Sequence, residues 1–232
     1  MTAEKHHSNS PDDWIWKVII MFITRRDLDL TETLAYRVPF LCMEQVAVGW
    51  WPEIRTRHVL KRRLEKLIGR EWLVCVEINL SRPQSIDGPL MVIDAQTSWP
   101  SFEDMTDSLM SPAANEAKPT KVVIAGPSAK NLFASDFADL PGILERDRGY
   151  AVAAAFVWHK QRGMVSEHWL HRGDDARKMV NRTGWDALIR DEGTSPTSPI
   201  HSTAICCRPM SRRRWERLSD DAQQGWHRLE VW

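Results

Sequence analysis

Residues 55–70 read Arg-Thr-Arg-His-Val-Leu-Lys-Arg-Arg-Leu-Glu-Lys-Leu-Ile-Gly-Arg. Leu60, Leu64, Leu67 and Ile68 fall at i, i+4, i+7 and i+8, one apolar stripe of a helix, and Thr56 can cap its start. With that stripe turned inward, a rotation of about 100° per residue points His58, Arg62 and Lys66 outward and leaves Lys61 and Arg63 at the margins. Arg55, Arg57 and Arg70 extend the cationic surface, against a single acid, Glu65. On an isolated helix such a run reads as a solvated face, so its neighbours decide its meaning.

Upstream, leucines recur at helical intervals from Asp27 to Arg37, Phe40 and Leu41 make an apolar turn, and Met43 to Gly49 can form a short helix that Pro52 ends. Downstream, Trp72 to Leu80 is a strand rich in branched residues, Ser81 to Gly88 with Pro83 a turn, and Pro89 to Ile93 a second strand. Three helices followed by a hairpin predict a winged helix-turn-helix. In such a unit the third helix enters the major groove, and Arg55, Arg57, His58, Lys61, Arg62 and Lys66 are the expected contacts to double-stranded DNA. With 31 basic and 31 acidic residues the chain has no global field for a polyanion, so the footprint has to be local.

The 232 residues allow one or two cores, and the pattern favours two. Residues 1–13 are polar and read as a flexible leader, in which His6 and His7 alone are weak metal evidence. Residues 14–95 are assigned to the winged helix. The apolar run from Trp14 to Ile23 is far below the ~20 residues that cross a bilayer and reads as folded helix, so no membrane partner is expected. Cys42, Cys75, Cys206 and Cys207 show no CxxC spacing, which fits a reducing, cytoplasmic setting.

Residues 96–232 predict a mixed α/β unit, which makes the whole chain α+β. A loop from Ser108 to Pro119 precedes a short strand from Lys121 to Ala125 and an Ala-rich helix from Glu145 to Arg162. Strand candidates then run over Met164–Leu170, Trp185–Ile189 and Thr203–Arg208, with a Pro/Ser/Thr loop at Gly193–Pro199. A helix from Ser211 to Gln224 and a last strand from His227 to Trp232 follow.

Thr24, Arg26-Asp27-Leu28, Leu34, Phe40-Leu41, Glu44-Gln45-Val46-Ala47, Arg55 and Arg62-Arg63-Leu64 through Leu73 resemble the amino-terminal winged helix of the replication-relaxation family, associated with plasmid replication and mobilisation. Leu140-Pro141, Tyr150 to Val157, Glu167, Asp186-Ala187-Leu188-Ile189 and Leu229-Glu230-Val231-Trp232 fall where that family's second half is similar to restriction-endonuclease-like folds. The resemblance implies a second domain of that fold. Metal-dependent strand cleavage there needs converging carboxylates on Mg2+, and Glu167 and Asp186 are the catalytic candidates. At the third element stands Cys206-Cys207-Arg208, where thiols are poor ligands for a hard cation, so a degenerate, non-cleaving fold without cofactor is expected. The alternatives are an active Mg2+-dependent nuclease and a protein-interaction module, the second domain offering a surface for other proteins. Glu167, His168 and His171 lack a third ligand pattern for zinc, and Asp174-Asp175 reads as a loop. Arg208, Arg212, Arg213, Arg214 and Arg217 form a further basic set, either phosphate-binding or a solvated helix start.

Overall fold

The computed structural model describes residues 23–53, 57–81, 88–94, 98–109, 117–135, 140–164, 168–170, 186–190, 202–207, 211–222 and 228–232. The leader with His6 and His7, the expected helix at 14–22, Arg55, Glu167, His171, Asp174, Asp175, the loop at Gly193–Pro199 and Arg208 lie outside them.

Helix α1 (Arg25–Tyr36) starts at a reciprocal cap: the Thr24 amide donates to Asp27 Oδ2 at 2.7 Å, and the Asp27 amide donates back to Thr24 Oγ1 at 3.3 Å. Strand β1 (Leu41–Cys42) leads straight into α2 (Met43–Trp50), where Gln45 accepts from the Cys42 amide at 2.9 Å. Helix α3 (Arg57–Ile68) buries Leu60, Leu64 and Leu67, the stripe read from the sequence. It closes with the Trp72 amide on the Leu67 carbonyl at 3.0 Å and turns into β2 (Leu73–Leu80) through Glu71 in the left-handed region at φ 60°.

The partner of β2 corrects the expected hairpin. Strand β3 (Met91–Asp94) does not pair with it; β2 pairs over its whole length with β4 (Lys118–Ala125), antiparallel, from Leu73 opposite Ala125 to Leu80 opposite Lys118. The first sheet has the order β1-β4-β2, so β4 is central. A central strand covered on both faces needs consecutive apolar residues, which Val122-Val123-Ile124-Ala125 supply; Met91 to Asp94 alternate, with Ile93 buried and Val92 and Asp94 exposed, as suits an edge. The close of β4 also requires glycine, because a Cβ on Gly126 would lie 2.2 Å from the Glu71 carbonyl oxygen.

After α4 (Phe102–Leu109), β4 and α5 (Pro127–Leu132), a 3-10 turn at Ile143–Glu145 opens α6 (Arg146–Gln161). Every residue of α6 from Gly149 to Val157 is buried, so this helix has no solvent face over that stretch. It packs against α2, β1 and β2 on one side and β7 on another. Phe156 stacks on Trp50 and meets the fully buried Trp169 edge-on at 5.3 Å.

The second sheet has the order β3-β8-β7-β6-β5. Strands β5 (Trp169–Leu170), β6 (Ala187–Arg190) and β7 (Ser202–Cys206) form an antiparallel meander, Trp169 opposite Ile189 and Ala187 opposite Ile205. Helix α7 (Arg212–Ala222) carries the chain over to β8 (Arg228–Val231), which runs parallel to β7, and β3 adds antiparallel beyond it. Helices α4 and α7 cover one face, with Trp99 and Trp215 centroids 4.8 Å apart. The expected division after residue 95 does not separate the sheets: 91–94 belong to the second and 118–125 to the first. One apolar cluster joins both, from Leu30, Leu34 and Leu64 through Phe156 to Ile205 and Trp232. No described helix is long and apolar enough to cross a membrane.

A chain ended after Asp94 lacks β4, and with it the strand that holds β1 and β2. Such a fragment is expected to give no cooperative urea transition by circular dichroism, where the whole chain gives one; a sigmoidal melt of the fragment would contradict the shared core.

Candidate nucleic-acid interface

The exposed side of α3 is built by its buried side. Leu60, Leu64 and Leu67 fix its rotation, and His58, Lys61, Arg62, Glu65 and Lys66 are left exposed. Arg57 is its first residue. Lys61 and Glu65 approach only to 4.0 Å as an exposed i, i+4 pair, which leaves the cationic character of the face almost intact. Among the described residues, no carboxylate pairs with Arg62 or Lys66.

Arg63, at the margin of that face, has a different task. Its guanidinium grips Asp27 fork-wise, Nε to Oδ1 at 3.0 Å and Nη2 to Oδ2, and the Asp27 side chain has 0% exposure against 25% for Arg63. The carboxylate that caps α1 therefore also holds α3. Burial alone would raise the Asp27 carboxyl, but the hydrogen bonds of Arg63 and Thr24 outweigh it and hold the group below its ordinary 3.8. Asp29, two residues on, accepts from Trp50 Nε1 at 2.8 Å and from Lys160 Nζ at 2.7 Å, tying α1 to α2 and to the end of α6.

The second candidate, Asp186, stands just before β6 and is 1% exposed. Arg148 of α6 takes its Oδ1; Arg214 of α7 takes its Oδ2 at 2.5 Å, where the Cys207 amide also donates. Arg214 donates in addition to the Cys207 carbonyl at 3.1 Å. Two guanidinium cations thus lie on the carboxylate where metal catalysis would need a divalent ion. Cys206 and Cys207 are fully buried, and their thiols are pushed well up, first by burial and then by the Asp186 charge, so both stay protonated. A neutralised carboxylate beside two protonated thiols does not fit Mg2+. Among the described residues no group of three His, Cys, Asp or Glu side chains is placed to hold a metal ion.

Sequence reasoning missed the partners of these acids. Arg214 was grouped with a surface basic set, yet it lies on the face of α7 that buries Trp215 and Leu218; its i, i+4 relation to Leu218 was the available signal. Of the rest of that set, Arg212 pairs with Glu103, and Arg213 and Arg217 are exposed. His168 is half-buried. Glu230, read only as part of a closing strand motif, is buried and accepts from Trp232 Nε1 at 3.2 Å and Arg228 Nε at 3.1 Å, with His159 Nε2 at 2.8 Å. Burial would raise it, but His159 first, then Trp232 and Arg228, hold it below its ordinary 4.5.

No family model, curated protein or solved structure matches the chain.

Two outcomes follow from these pairings. Asp186→Asn leaves two guanidinium groups without their anion and is expected to lower unfolding free energy by about 3–5 kcal/mol in urea titrations, with or without Mg2+; wild-type stabilisation by millimolar Mg2+ would contradict the pairing. Asp27 has a depressed folded pKa, so its contribution is fully present above the unfolded value of 3.8 and is lost as pH falls through the lower folded value. The stability gap between wild type and Arg63→Ala should be steady near neutral pH and close as acid protonates Asp27; a gap unchanged in strong acid would rule out the ion pair.

Proposed function

We propose that the chain is a double-stranded DNA-binding protein, with α1 to α3 and the first sheet as a winged helix and α3 as the element that enters the major groove. The observation that carries this reading is the two-sided α3, buried along Leu60, Leu64 and Leu67 and exposing His58 and the cations Arg62 and Lys66. Within the first sheet and its helices alone, the order is helix, strand, helix, helix, strand, strand, with the short first strand beside the last, as a winged helix is wound; β3 and α4 are inserted between its last two strands. The resemblance to replication-relaxation proteins belongs to the same proposal.

The second sheet supports the restriction-endonuclease-like reading. Among the described residues from α6 onward come a helix, three antiparallel strands, a helix, and a strand parallel to the third. Asp186 heads the second of those strands, where a metal-binding acid would stand, and Arg148 with Arg214 neutralises it. We read this half as a non-cleaving scaffold that holds the winged helix and offers surface to other proteins.

A mobility shift on random-sequence duplex tests the reading. Arg62→Glu with Lys66→Glu is expected to abolish binding at low salt. Arg62→Ala should flatten the plot of log affinity against log salt by about 0.9, the signature of one phosphate contact. Wild-type strength in the double variant would contradict the reading and favour a protein-contact role.

A further inference from the structure

Val59 is 50% exposed, one of four large apolar side chains left in solvent among the described residues. It lies in the first turn of α3, where a β-branched residue adds nothing to helix stability. At about 100° per residue it sits about 20° from Lys66 and about 60° from Arg62 on one side, and about 40° from Arg63 on the other. Val59 thus stands beside the exposed Arg62 and Lys66, with the Asp27-paired Arg63 on its other side, and it lines a cleft of ≈ 1120 Å³ that also takes in Trp51, Asp27, Asp29 and Glu32. A protein partner held by apolar contact would need a patch, whereas among the described side chains of α3 Val59 is the single exposed large apolar one, beside Arg62 and Lys66. The surface of a polyanion that offers isolated apolar groups of this size is the major groove, where each thymine presents a C5-methyl beside base-edge acceptors.

We propose that Val59 reads a thymine methyl group, so that the preferred site of this protein is duplex DNA with a thymine at one fixed position under the first turn of α3. The inference rests on the DNA-binding reading and adds sequence discrimination to it. The cations supply affinity that is indifferent to sequence, and the isopropyl group discriminates because it loses its contact wherever the methyl is missing.

Selection from a randomised duplex pool by the whole protein identifies the preferred site, and replacing thymine by deoxyuridine within it removes only the methyl. Wild type is expected to enrich one thymine position and to bind the uracil duplex about threefold to fivefold more weakly, the effect of one buried methyl-sized group. Val59→Ala, at an exposed helical position and checked by circular dichroism, should bind the unselected pool like wild type and ignore the uracil exchange. Binding without thymine enrichment, or equal sensitivity to uracil in both proteins, would overturn this inference alone. Failure of wild type to bind any duplex at low salt would overturn it together with the reading beneath it.

Discussion

A helix without a polar face over about two and a half turns has to be covered from every direction, and α6 from Gly149 to Val157 is such a helix. Its cover comes from α2 and the first sheet on one side and the strands of the second sheet on another, so neither half closes its core without it. The close fit is visible at Gly149, where a Cβ would stand 3.0 Å from the Phe40 ring and 3.1 Å from Pro39. Exchange of β3 and β4 between the sheets ties the halves a second time, through the chain itself. The platform on which α3 is displayed is therefore the whole molecule rather than a small domain on a linker.

Buried charge sets the relative placement of the elements. Asp27 joins α1 to α3, Asp186 joins α6 to α7, and Glu230 joins β8 to α6 through His159. Each acid is buried; Asp27 and Asp186 are met by arginines from elsewhere in the sequence, and Glu230 by Arg228 of its own strand and by the His159 ring of α6. Such pairs contribute modest net stability, because desolvation offsets much of the attraction, but a displaced partner leaves an uncompensated charge. They penalise alternative packings of the same apolar surfaces. Seen in this way, Asp186 with its two arginines is part of the framework, and the cations on the outer face of α3 stand outside that framework.

The local patterns of the chain were legible and the long-range pairings were not. The stripe of α3, the Ala-rich α6, the strand segments after it and the helix before the last strand all follow from local pattern, whereas the directions in which those strands pair do not. The hairpin went to the wrong strand because Pro83 and Gly88 make a plausible turn directly after β2, whereas its true partner lies beyond α4. The missing criterion was two-sided against one-sided apolarity: Val122 to Ala125 can fill a sheet centre, and Met91 to Asp94 cannot. Asp186 is readable, with Glu167, as a candidate catalytic acid in a strand segment, but its role depends on Arg148 and Arg214, 38 and 28 residues away, which no spacing rule connects. A single valine among cations, such as Val59, carries no periodic signal.

The central claim is that duplex DNA is met by the outward face of α3. Backbone amide shifts of the labelled protein titrated with a random duplex at low salt test it most directly. The account expects the largest changes from His58 to Lys66 with little response in α7, and dominant changes around Arg213 and Arg217 with α3 silent would contradict it.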